Sequence, residues 1–223
     1  MGSTIKLKAK DGHEFDAYLA MPQGKPKGGV VVIQEIFGVN AHIRETADRF
    51  AKNGYAAIAP AFFDRAQKGF ETGYEAKDIE LGRSMVPKVP IEKAMMDAQA
   101  AIDDLRKHNL KVGVVGYCWG GSMTWAAACR LEGVSAASSY YGGMVLNMAD
   151  EKPKCPTELH FGETDASIPI DKVREFQAKR PELPMFIYPA GHGFFCDHRA
   201  SYHKESAELA FKRTLELFAK NLG

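Results

Sequence analysis

The sequence has no apolar run long enough to cross a bilayer. Its longest, Gly29-Val30-Val31-Val32-Ile33, is far short of the roughly 20 residues a helical span needs. No charged-then-apolar leader opens the chain, so export is not expected. Met1-Gly2-Ser3 begins like a myristoylation signal, but Lys6 stands where that motif takes Ser or Thr. Charge of one sign is also missing: 29 Lys and Arg meet 28 Asp and Glu, for a formal net charge of +1. That balance leaves no basic stripe for nucleic acid and no polybasic membrane patch. Cysteine is sparse. Cys118, Cys129, Cys155 and Cys196 form no C-x-x-C pair, which argues against a zinc ribbon or a thioredoxin-type redox site. Without a leader a disulfide framework is not expected either. The four read as free thiols in a reducing compartment, and a cytoplasmic location is the expectation.

What is present is the composition of an ordinary globular domain, with 45% hydrophobic and 26% charged residues. At 223 residues, with no repeat, low-complexity stretch or linker, residues 1–223 are expected to form one domain. Strand and helix patterns alternate. Residues 4–8 and 14–21 read as strands about the turn Lys10-Asp11-Gly12, and 29–35 as a strand buried on both faces. Asn40 caps a predicted helix over 41–53 that Gly54 ends, and a strand runs from Tyr55 to Ala59. Residues 61–90 read as a long connection with a short helix near 75–82. Helices follow over 91–107, 119–131 and 171–179, and an amphipathic helix closes the chain. Strands fall at 112–117, 134–140, 157–161 and 185–188. This alternation predicts an α/β fold, a mostly parallel sheet covered on both faces, with its site beyond the carboxyl ends of the strands.

The reactive residue types fall at those ends. Gly116-Tyr117-Cys118-Trp119-Gly120-Gly121 lies between a strand and a helix and has the G-x-nucleophile-x-G form of a nucleophile elbow, with Cys in place of Ser. Small residues are required there because larger side chains would clash across a sharp, strained turn. The turn places the sulfur at a helix N-terminus, whose partial positive charge favours thiolate. The Trp119 N–H would point into the site as an oxyanion donor. Asp165 follows the strand ending at Phe161, and His192, flanked by Gly191 and Gly193, follows the last strand. Taken singly, Cys118 reads as a small buried residue, Asp165 as an Asx turn and His192 as a solvated loop residue. Taken together, the order Cys, Asp, His is the chain order that hydrolases of this fold require. Glu35 ends a run of apolar residues and should be partly buried, which costs free energy unless it is paired. Ile36 lies on the loop that usually supplies a second oxyanion donor. The aromatics Phe37, Trp119, Phe194 and Phe195 serve equally as pocket lining or as core.

Five stretches carry a closer likeness: Gln34-Glu35-Ile36-Phe37-Gly38-Val39-Asn40 with Arg44-Glu45-Thr46, then Gly54-Tyr55-Ala56-Ala57, Val114-Val115-Gly116-Tyr117-Cys118-Trp119-Gly120-Gly121, Tyr140-Tyr141-Gly142 and Ala190-Gly191-His192. Together they closely resemble the dienelactone hydrolase family, the carboxymethylenebutenolidases, over essentially the whole chain. The resemblance implies an α/β-hydrolase fold without a large cap domain and a Cys118, His192, Asp165 triad acting through an acyl-enzyme. It implies an oxyanion hole at Ile36 and Trp119 and a Glu35 that meets the resting thiol and helps generate the thiolate. It also implies a small lactone or ester as the substrate, a monomer, and no metal or organic cofactor. The family binds a substrate carboxylate through two arginines. Arg83 is the nearest match to one, across a gap. The other lies four residues after the catalytic His, where this chain has Cys196, and Arg199 would serve only if its loop folds differently. Two other classes stay open. One is a binding module that releases its ligand unchanged, and the other a redox-sensing thiol protein linking Cys118 to Cys196.

Overall fold

The computed structural model describes residues 2–223. Its centre is an eight-stranded sheet: β1 (Ser3–Lys8), β2 (Glu14–Ala20), β3 (Gly29–Ile33), β4 (Ala56–Pro60), β5 (Val112–Tyr117), β6 (Val134–Tyr140), β7 (Thr157–Gly162) and β8 (Met185–Tyr188). The strand order is β1-β2-β4-β3-β5-β6-β7-β8. β2 pairs antiparallel with β1 and β4, and all pairings from β4 to β8 are parallel. Alternate residues of β3 feed the two faces: Val30 and Val32 join one apolar cluster, Val31 and Ile33 the other. A strand buried on both sides must be apolar throughout, which is why β3 carries no alternation in sequence.

The helices are α1 (Ala41–Lys52), α2 (Ala76–Met85), α3 (Ile91–Arg106), α4 (Trp119–Arg130), α5 (Ile170–Lys179) and α6 (Lys204–Leu222). Phe50 of α1 and Phe211 and Phe218 of α6 stack over one face with ring centroids 5.1 and 5.9 Å apart. The apolar stripe of α3, from Ala94 to Leu105, covers the other. Asn40 caps α1 as expected, its side chain accepting from the Ile43 N–H at 3.3 Å, and Gly54 follows the helix with φ +95°. Among the described residues no helix is long and apolar enough to cross a membrane.

The differences from expectation lie at strand ends and in the long connection. β3 stops at Ile33, two residues early, because the chain there turns onto α4. A Cβ on Gly120 would strike the carbonyl oxygens of both Ile33 and Gln34. Pro60 ends β4 inside the sheet, opposite Ala17 of β2. The 61–90 segment is more ordered than its composition suggests. Phe62–Arg65 forms a 3-10 turn that buries Phe62 and Phe63 against Trp119, α2 runs on to Met85, and Val86–Lys88 is a second 3-10 turn. A further 3-10 turn, Gly143–Met148, follows β6. β3 and β5 are neighbours although the chain leaves β3 towards β4 on the other side, so the order reverses between them. The carboxyl ends of β3, β5, β7 and β8 open onto one rim at that reversal.

Asn40→Ala removes the cap of α1 and should lower unfolding stability by about 1 kcal/mol. An unchanged urea midpoint would show that the cap is redundant.

Candidate active site

Cys118 sits between β5 and α4 with φ +57° and ψ −117°, a backbone conformation costly for any residue but glycine. Close packing holds it there. The Cys118 N–H donates to the Tyr140 carbonyl at 3.0 Å, and the Cys118 carbonyl accepts from the Gly121 N–H at 3.0 Å. A Cβ on Gly116 would strike the Gly120 carbonyl, and one on Gly121 the Tyr140 carbonyl. The glycines flanking the thiol thus allow backbone to lie against backbone, as the motif requires. The sulfur is left at the first turn of α4, where the Trp119 N–H has no acceptor within the helix.

The loop after β8 brings His192 to this sulfur. Its Nε2 lies 3.1 Å from Cys118 Sγ, and its Nδ1 lies 2.7 Å from Asp165 Oδ2. The Asp165 carboxylate is buried, and its Oδ1 accepts from the Ser167 and Ile168 N–H groups at 2.8 and 3.2 Å. Those bonds fix the carboxylate, and the carboxylate fixes the ring. Burial alone would lower the pKa of His192 from its ordinary 6.5. The hydrogen bonds to Asp165 and Cys118, together with their charges, more than reverse this and push it up to about 10.

Glu35 is buried where β3 has turned away from the sheet, and Arg199 Nη1 donates to its Oε1 at 3.3 Å. Glu35 was expected to meet the resting thiol; in this structure the sulfur is engaged by His192, and Glu35 by Arg199. Arg199 reaches the site because its loop folds into consecutive turns, with the Cys196, Arg199 and Tyr202 N–H groups donating to the Gly193, Cys196 and Arg199 carbonyls. Its guanidinium lies 5.4 Å from the centroid of Phe37 and 5.8 Å from that of Tyr74.

These groups border one cavity of about 360 Å³ lined by Ile36, Phe37, Cys118, Trp119, His192 and Arg199 among others, with Arg83 of α2 also on its wall. Cys118, His192, Ile36, Trp119, Phe37, Arg83 and Arg199 thus reach one place, with Asp165 and Glu35 just behind its wall. Phe194 and Phe195 do not line it. They pack into the core against Tyr188 and Phe211. A larger cleft of about 850 Å³ beside Cys155 has no imidazole, so volume alone does not mark a reactive site. Sequence reasoning missed Tyr141, which follows β6 with φ +38° and packs its ring edge-on to His192 at 5.1 Å, and Ser122, Met144 and Ile168, which also line the wall. The Tyr140-Tyr141-Gly142 stretch was visible as a motif, but nothing in it signalled the unusual backbone. All four cysteines are free, as expected.

Comparison with known proteins finds similarity over nearly the whole chain. The model of the dienelactone hydrolase family matches residues 15–222. A Synechocystis protein named "Putative carboxymethylenebutenolidase" is 38% identical, over 94% of this chain and 93% of its own length. The carboxymethylenebutenolidase of Pseudomonas putida is 33% identical, over 96% of this chain and 95% of its own. The solved structure of a "Putative Dienelactone Hydrolase" from Klebsiella pneumoniae superposes with a TM-score of 0.84 at 30% identity, covering 98% of this chain and 99% of that one.

The His192 ring should stay protonated through neutral pH and titrate near 10, as followed by NMR of the imidazole nitrogens. Because the folded value lies above 6.5, its stabilising contribution is full below pH 6.5 and is lost as the pH rises through about 10. Asp165→Asn should bring the titration down. A ring that titrates near 6.5 in the unaltered protein would contradict the assignment.

Proposed function

Because the chain belongs to the dienelactone hydrolase family, we propose that it cleaves a lactone or small carboxylic ester with Cys118 as nucleophile. One observation carries the reading: an unbroken line from Cys118 Sγ through His192 to Asp165, with contacts of 3.1 and 2.7 Å, beside a cavity that opens at a helix N-terminus. With the proton already held on His192, the Cys118 sulfur attacks the carbonyl carbon as a thiolate. Negative charge moves to the carbonyl oxygen, which the Ile36 and Trp119 N–H groups receive. As the tetrahedral centre collapses, the C–O bond breaks and His192 returns the proton to the leaving oxygen. Asp165 holds the ring in the tautomer both transfers need. Water, deprotonated by His192, then attacks the thioester and releases the acid, which restores the thiolate beside the protonated ring. For a lactone, both ends of the opened ring leave as one hydroxy or keto acid. The steps use side chains, backbone and water, and all the groups come from one sheet rim. The proposed working unit is accordingly a single-domain monomer in the cytoplasm.

Glu35 and Arg199 give the reading its selectivity. An anionic group on the substrate would compete with Glu35 for Arg199. Glu35, once released, would stand near the thiol as a second base, which retains a gating role for it by way of the arginine. Arg83 would meet the anion from the opposite wall, and Phe37 would pack against the substrate's apolar part.

Cys118→Ala should lower lactone or p-nitrophenyl ester turnover by about 10³-fold or more while the fold is kept. Undiminished turnover would remove Cys118 as the nucleophile. Glu35→Gln should reduce kcat without a matching fall in the thermal midpoint. Unchanged kinetics in that variant would remove the gating role. Arg199→Ala should raise KM for carboxylate-bearing lactones more than for neutral esters, and an equal effect on both would exclude anion recognition by this residue.

A further inference from the structure

Behind the site wall lies a second cluster that shares Glu35 with the site and adds two residues the reaction above does not use. One ligand-type atom from each of Glu35, His42 and Cys196, all buried, lies within 4.8 Å of the other two. The imidazole of His42 is anchored from outside, its Nδ1 lying 3.3 Å from Asp197 Oδ1. That leaves Nε2 as the nitrogen for the cluster, and Nε2 is buried without a hydrogen-bond partner on a residue only 3% exposed. An unpaired buried nitrogen is costly and calls for a ligand. We propose that Glu35, His42 and Cys196 form a binding site for a borderline divalent metal ion of the zinc type.

The chemistry of the three donors fits such an ion. Carboxylate oxygen, imidazole nitrogen and thiolate sulfur are a zinc donor set, whereas magnesium and calcium take oxygen alone. A carboxylate on the far ring nitrogen, as Asp197 provides, is the usual support of a metal-bound histidine. Charge also closes. One carboxylate, one thiolate and a neutral imidazole leave a divalent ion with no net charge, which suits a buried place. A thiol ligates a metal ion only as the thiolate. Binding therefore exchanges the S–H bond for a metal–sulfur bond and releases about one proton to solvent for each ion. The bound ion would also take Glu35 from Arg199. Inhibition of turnover by that route rests on the function proposed above, whereas the site itself does not.

Cobalt(II) tests the site, since thiolate ligation gives a sulfur-to-cobalt charge-transfer band. All titrations use Cys118→Ser protein, so that the Cys118 and His192 pair cannot supply the ligands. One equivalent of ion should produce the band, and adding Cys196→Ser should abolish it. Asp197→Asn, at an exposed position, should weaken binding about 10- to 100-fold. Absence of the band, a band that survives Cys196→Ser, or an affinity that ignores Asp197→Asn would overturn the proposal. Because none of these proteins can carry out the reaction at Cys118, a negative result leaves the hydrolase reading untouched, and loss of that reading leaves this test valid.

Discussion

The architecture depends on how closely α4 approaches the ends of β3 and β5. Cys118 adopts a left-handed backbone only because Gly116, Gly120 and Gly121 let three segments of main chain meet without side chains between them. That contact ends β3 early, turns Gln34 and Glu35 out of the sheet, and exposes the first N–H of α4. Nucleophile, oxyanion donors and buried glutamate follow from one steric fact. The apolar sheet beneath serves as the rigid base that keeps it.

Electrostatics is arranged on this frame in two layers. In the first, Asp165 is pinned by two backbone N–H groups and holds His192 against the thiol. In the second, buried Glu35 pairs with a partly buried Arg199 on the cavity wall, and such a pair gains little stability once its charges are largely desolvated. A pair of that kind is suited to exchange partners, because a substrate anion or a metal ion can replace one member at low net cost. His42, Cys196 and Tyr74 gather around the same carboxylate, so changes at Glu35 reach beyond the cavity wall.

Much of this was legible in the residues. The all-apolar β3, the glycine-flanked Cys118 and the order of Cys118, Asp165 and His192 report local rules: burial on both faces, a steric turn, and loops at strand ends. What stayed hidden depends on tertiary placement. The position of Arg199 required three successive turns that no composition announces, and its sequence distance from His192 pointed away from the site. Phe194 and Phe195 adjoin His192 in the chain yet face the core, because the turn at Gly193 reverses direction. The 3-10 turns of residues 62–65 and 86–88 are held by packing against Trp119 and α2, a preference that local propensity does not carry. The partner of Glu35 could not be read either, since burial demands a partner without naming it.

Covalent chemistry at one sulfur is the centre of the proposed reaction, and it can be observed directly. The protein is mixed with an activated ester, quenched within the first turnovers, digested and analysed by mass spectrometry. The account predicts an acyl group on the peptide bearing Cys118, formed in a burst and lost on further incubation. Continued turnover with the acyl group on another residue, or with Cys118 never modified, would contradict it.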